Sequence, residues 1–193
     1  MAAVPFTTRH LLDLERRDLS LIGRGLRQRF QPDVWRSATP AQREHMAQAA
    51  HAYIRGGVGL DQRPLRLAHD MPDYQLGEFD PHAKVVSVNV RLLEDEDPTT
   101  LLAAVAHENR HAVQQERMEG RQAVPYREQF GEREVDIWKE AGCQYGNRVY
   151  VDYLYNALEV DAREAATSLI DEGFWVEHRR ILEERVVEME VDR

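Results

Sequence analysis

Eleven residues, Leu101-Leu102-Ala103-Ala104-Val105-Ala106-His107-Glu108-Asn109-Arg110-His111, carry most of what this sequence says about architecture. Residues four apart on an α-helix are separated by about 6 Å of rise and about 40° of rotation. His107 and His111 therefore project from one face, where both imidazoles can converge on a single ion. Glu108, one step round, stands beside that ion. It can take a proton from a water bound there, whose pKa the metal lowers towards about 7. Histidines at this spacing also occur on ordinary charged surfaces. Here the preceding residues are apolar nearly all round, which is the pattern of a buried helix. Asp97 reads as the N-cap and Pro98 as the first helical position. The helix runs from Leu101 to about Met118 and ends near Gly120.

Upstream, the period changes. Val85-Val86-Ser87-Val88-Asn89-Val90-Arg91 alternates as a strand does, with Val86, Val88 and Val90 towards the core and Val85, Ser87 and Asn89 on the other side. Leu76-Gly77-Glu78-Phe79-Asp80 is a second strand, joined to the first as a hairpin through Asp80-Pro81-His82-Ala83. Either segment is a candidate sheet edge, and Leu65-Arg66-Leu67 is a third short strand. Thr39-Pro40 predicts a capped helix over Ala41 to Arg55, closed by Gly56-Gly57, with Met46, Ala49, Ala50 and Tyr53 on its core face. Residues 8–30 read as one or two helices carrying Leu11, Leu14, Leu19, Ile22 and Leu26.

Downstream, the polar stretch 121–147 holds a helix around Glu132–Glu140. A longer helix spans about Val149 to Asp171, and an amphipathic tail runs from Trp175 to Val187. No repeat or low-complexity linker interrupts the chain. A single domain over 1–193 is expected, with N-terminal helices (1–60), a core (65–171) and a tail (172–193). The expected class is α+β, mostly helical, with a small antiparallel or mixed sheet beside the His-Glu-x-x-His helix.

Catalytic zinc takes three protein ligands and keeps one position open. The candidates for the third are His69, His82, Cys143 and the acidic residues of the last long helix. Leu154, Leu158, Ala162, Ala165 and Leu169 form that helix's apolar stripe, and Glu159 lies on its flank. A carboxylate bordering a buried stripe is costly unless it is paired or coordinated. An intrahelical pair with Arg163 is the plainer alternative. Asp161 points roughly opposite Glu159, where it is solvated or makes a tertiary contact.

The run from Leu101 to Gln115 resembles the active-site helix of gluzincin metallopeptidases. Leu158-Glu159-Val160-Asp161-Ala162-Arg163-Glu164-Ala165-Ala166 resembles the Glu-x-x-Ala-Asp/Asn-x-x-Ala helix that gives their third ligand. The combination is similar to the minimal zincins of the ImmA/IrrE and M48-like kind, over about residues 65–171. The resemblance implies a zincin-like fold and a zinc cofactor. It implies His107, His111 and Glu159 as metal ligands and Glu108 as general base. Arg163 departs from the pattern, standing where the family has a residue that accepts a hydrogen bond from a ligating imidazole. Another acceptor then orients the histidine, with Asn156 and Tyr155 as candidates, or Arg163 pairs with Glu159 and weakens the site.

The expected reaction is metal-assisted hydrolysis of a peptide bond, with a peptide or protein as substrate and an edge strand to hold it. Tyr126, Tyr150, Tyr153, Tyr155 and His82 are all available to stabilise an oxyanion. A metal-binding but non-proteolytic regulatory or interaction protein is the alternative. A third reading is a helical interaction protein carrying the motif by chance. The 193 residues have 25 basic and 34 acidic side chains and a net charge of −9, which disfavours a nucleic-acid partner. No apolar run approaches the roughly 20 residues that span a bilayer, and no signal-like h-region follows the first residues, so a cytoplasmic protein is expected. One cysteine excludes an intramolecular disulfide. Trp35, Trp138 and Trp175 read as packing anchors, and Glu94 to Asp97 as a solvated acidic loop. Oligomeric state is left open.

Overall fold

The computed structural model describes residues 22–26, 29–120, 132–143 and 156–169, with the side chains of 132–134, 142, 143 and 168 excepted. Helix α1 (Pro32–Ser37) is short, and it buries Trp35 completely. Helix α2 (Pro40–Gly57) begins at Thr39, whose side chain and backbone form a reciprocal capping box with Gln42. Its inward face is Ala47, Ala50, His51 and Ile54, the helical stripe one step round from the one expected. Ala50 is on it; Met46 and Tyr53 flank it half-buried; Ala49 is exposed instead of buried. Residues 22–26 are helical and bury Leu26. Leu11, Leu14, Leu19 and the tail from 172 onward lie outside the described residues.

Three short strands follow: β1 (Arg66–Ala68), β2 (Gly77–Asp80) and β3 (Val85–Asn89). Their order is β1-β3-β2, with β1 parallel and β2 antiparallel to β3, so the sheet is mixed. The β2–β3 hairpin turns where Asp80 Oδ1 accepts from the N–H groups of His82 (2.8 Å) and Ala83 (2.9 Å), and Lys84 closes it at a φ of 55°. Among the described residues β3 is the central strand, so β1 and β2 are the edges: the Leu76–Asp80 candidate holds and the Val85–Val90 alternative fails. Centrality also explains why Ser87 and Asn89 are buried along with Val86 and Val88. Asn89 is satisfied there, donating to the carbonyls of Pro72 and Gln75 (both 3.1 Å). Val90 belongs to a 3₁₀ turn (Val90–Leu93) rather than to the strand.

The acidic loop after that turn is held at its backbone. Arg43 donates to the carbonyls of Leu93 (2.8 Å), Asp95 (3.1 Å) and Trp35 (3.0 Å), and Trp35 Nε1 donates to Asp95 O (2.7 Å). Helix α3 (Thr99–Met118) starts one residue later than expected, with Pro98 at the cap. Asp97 still takes the Thr99 N–H at 2.7 Å. Leu101 through Arg110 are buried without a break, because α3 packs against α2, β2, β3, α4 (Glu132–Cys143) and α5 (Ala157–Leu169). At its far end Lys84 reaches across from the hairpin to Glu116 (2.8 Å) and Glu119 (2.9 Å). Trp138 of α4 is buried against the guanidinium of Arg110, 5.8 Å from its ring centroid. The expected start of the last helix near Val149 lies outside the described residues. Its stripe of Leu158, Ala162, Ala165 and Leu169 is buried as expected. The class is thus α+β, mostly helical, with a small mixed sheet beside α3.

Trp35 fills the junction of α1, α2 and the acidic loop, so its loss leaves a cavity and removes one of the two bonds that Asp95 O accepts. Trp35→Ala is expected to cost about 3–5 kcal/mol in chemical denaturation.

Candidate metal centre

The centre of α3 delivers His107, Glu108 and His111, and the first turn of α5 delivers Glu159. Glu159 is fully buried, His107 nearly so, and the His111 side chain is 13% exposed. The two Nε2 atoms are 3.1 Å apart. His107 Nε2 lies 3.2 Å from Glu159 Oε2, and His111 Nε2 lies 3.3 Å from Glu159 Oε1. A tetrahedral ion with bonds of 2.0–2.1 Å separates its ligand atoms by about 3.3 Å. The two Nε2 atoms and the carboxylate oxygen facing each of them thus lie at separations such an ion sets between its ligands, and the donor set suits zinc. This is a buried His-His-Glu triad with the geometry typical of a zinc peptidase site.

Electrostatics point the same way. Burial by itself raises the pKa of Glu159. The hydrogen bonds and charges of His107 and His111 outweigh it and hold the carboxyl well below the usual range. Burial lowers the pKa of His111, yet Glu159 and Glu108 overcome it and lift the imidazole to about 9. Two Nε2 atoms at 3.1 Å cannot both offer lone pairs without a cation between them. A proton can fill that role, and a divalent ion fits the same position.

Glu108 is buried, and burial lifts its carboxyl above the ordinary range, against the opposing influence of His107 and His111. It lies against the edge strand. A Cβ built on Gly77 would stand 2.8 Å from Glu108 Cγ and 3.1 Å from its Oε1. Glycine at this position is what lets β2 come so close to the acid.

Of the other candidate ligands, His69 and His82 are exposed, and the Cys143 side chain lies outside the described residues. Among the described residues, His107, His111 and Glu159 are the one group that converges in this way. Asp161 proves to make a tertiary contact: Arg110 grips it with Nε to Oδ2 (2.7 Å) and a second nitrogen to Oδ1 (2.8 Å). Asn156 does not orient a ligand. Its Oδ1 accepts from Leu158 N (2.9 Å) and its Nδ2 donates to Ala141 O (3.3 Å). Tyr126, Tyr150, Tyr153 and Tyr155 lie outside the described residues. The contact that spacing alone could have found is Gln114, three residues after His111 on the same face, with Oε1 2.8 Å from Nδ1 of His111.

Asn109, on the opposite side of α3, donates to Val105 O (2.7 Å) and to Nδ1 of His51 (3.1 Å), whose Nε2–H donates in turn to Arg63 O (3.0 Å). Burial, with Arg55 nearby, pushes His51 down to about 4, so it is neutral at physiological pH.

No family model, curated protein or solved structure matches the chain.

The raised pKa of His111 fixes a sign. Its imidazolium contributes stability that is complete below the unfolded value of 6.5 and is lost as pH rises through about 9. Metal-free protein is therefore expected to show a falling denaturation midpoint between pH 7 and 9. In His111→Gln that fall is expected to be largely absent when the two are compared by thermal scans across the range.

Proposed function

We propose that the protein is a zinc-dependent peptidase in which His107, His111 and Glu159 hold the ion and Glu108 is the general base. The observation that carries this reading is the convergence of two Nε2 atoms, 3.1 Å apart, on one buried carboxylate, whose Oε2 lies 3.2 Å from His107 and Oε1 3.3 Å from His111, with the buried Glu108 next in sequence to His107. Bound zinc supplies a Lewis acid that brings the pKa of a coordinated water to about 7 and polarises a carbonyl oxygen. Glu108 takes the proton of the attacking water on a carboxylate oxygen and returns it to the leaving nitrogen. A carboxyl lifted by burial suits a group that must accept and release a proton near neutral pH.

A peptide substrate is favoured by the edge strand. Asn89 N–H donates to Leu76 O (2.9 Å), so in the antiparallel register Gly77 and Phe79 turn their backbone groups away from β3. That outer edge runs past Glu108 and can pair with an extended chain. Gln75 Nε2 already donates to Gly77 O (3.3 Å), as an N–H of such a chain would. One domain over 1–193 is part of the same proposal, supported by the way the described helices and sheet pack round α3. Among the described residues no helix is long and apolar enough to cross a membrane.

Two variants test the roles. Glu108→Gln is expected to retain one zinc per chain by elemental analysis and to lose about 10²–10⁴-fold in kcat on a cleavable peptide. Cleavage at the wild-type rate would remove Glu108 as base. Zinc-loaded wild type that cleaves nothing in a broad peptide library would leave a metal-binding regulatory protein as the reading. Gly77→Ala places a methyl group 2.8 Å from Glu108 Cγ, too close for the acid to keep its place, so it is expected to keep zinc and lose on the order of 10²-fold in kcat/KM.

A further inference from the structure

We infer that Gln114 is the positioning residue for the His111 ligand, and that Asp161, clamped by Arg110, locks the Gln114 amide in the orientation this requires. The inference rests on the zinc site proposed above and assigns a role to residues outside its ligand set.

An amide can present either its oxygen or its NH2 to a neighbour, and only the oxygen is of use to an imidazole that must keep Nε2 for a metal. The surroundings of Gln114 decide the choice. Its nitrogen lies 2.6 Å from Asp161 Oδ2 and 2.9 Å from the carbonyl oxygen of Leu158. Both of those are acceptors, since the two oxygens of Asp161 each take a bond from the Arg110 guanidinium. Both protons of the NH2 group are thereby consumed. Oε1 is left facing Nδ1 of His111 at 2.8 Å, and it can only accept. His111 must place a proton on Nδ1, which aims the Nε2 lone pair at the point shared with His107 and Glu159.

Asp161 is itself fixed from the other side. Arg110 makes two parallel bonds to it, 2.7 and 2.8 Å, from the planar fork that only arginine supplies. Arg110 is buried, and Gln114 is almost wholly so, so solvent does not compete for these bonds. The chain of contacts runs from Arg110 on α3 to Asp161 on α5, back to Gln114 on α3 and on to His111. It supplies the acceptor that Arg163 cannot, and it uses a position two residues after Glu159 instead of four.

The test is zinc affinity of the full-length protein, measured by competition with a chromophoric chelator at fixed pH. Gln114→Met keeps the length and burial of the side chain but offers His111 only a weak thioether acceptor. It is expected to bind zinc about 10–100-fold more weakly than wild type, with the far-ultraviolet spectrum and melting of the metal-free protein little changed. Asp161→Asn lets the amide turn over and is expected to weaken binding as well. In the Gln114→Met background it is expected to add nothing, because it acts through Gln114. Gln48→Ala, which frees the Leu65 backbone from α2, serves as a destabilised control and is expected to leave affinity unchanged. Wild-type affinity in Gln114→Met overturns the inference while leaving the zinc site standing. Additive losses in the double variant overturn the part assigned to Asp161. Absence of zinc binding by wild type overturns the site and this inference together, so the two failures are told apart. Should Gln114→Met fail to fold, Asp161→Asn alone decides: unchanged affinity refutes the lock.

Discussion

A fully buried carboxylate facing two imidazoles is the constraint on which this structure turns. Glu159 has lost its water, and an ionised acid in that position is tolerable only beside positive charge. The charge can come from a proton shared with the histidines or from a metal ion. Either way α5 must lie against α3, since the carboxylate and the imidazoles belong to different helices about fifty residues apart. The helix pair and the site therefore specify each other. Small residues on α5 (Ala162, Ala165 and Ala166) let the two helices approach, and the polar centre sets their register.

The two positions between the histidines take part in this. Asn109 faces α2, where the neutral His51 ring receives its amide proton. Arg110 faces α5, where it meets Asp161, with the Trp138 ring alongside. Each residue is long or polar enough to be unwelcome in a core without a partner, and each has one. The motif helix is thus fixed rotationally on both flanks by hydrogen bonds, while its apolar first turns fix it by packing. Rotation of α3 by even a fraction of a turn would break one set or the other.

How much of this the sequence disclosed depends on how local the signal was. His107, Glu108 and His111 are legible because helical geometry alone brings them together, and the apolar turns before them announce burial. The Thr39 cap and the Asp80 turn are equally local and appear as read. Glu159 needed a resemblance as well as its place beside an apolar stripe. Asp161 was harder, since a helical wheel puts it opposite Glu159. What the wheel omits is the reach of Arg110 and Gln114, long side chains that come to Asp161 from the neighbouring helix. Strand pairing was harder still: the parallel partnership of β1 with β3 joins segments about twenty residues apart, and nothing in either announces it. That missing fact is also why Ser87 and Asn89 looked one-sided. A central strand has no outside.

The tethers at the two ends of α3 have a mechanical meaning. Arg43 fixes the chain just before the helix begins, by gripping carbonyls of the loop that feeds it. Lys84 fixes its last turns by bridging Glu116 and Glu119 to the hairpin. A rod clamped at both ends bends least at the clamps and resists load far better in mid-span than one held at a single end. His107 and His111 occupy that mid-span. Because the second clamp is the β2–β3 turn, the helix that carries Glu108 is tied to the same hairpin that carries Gly77.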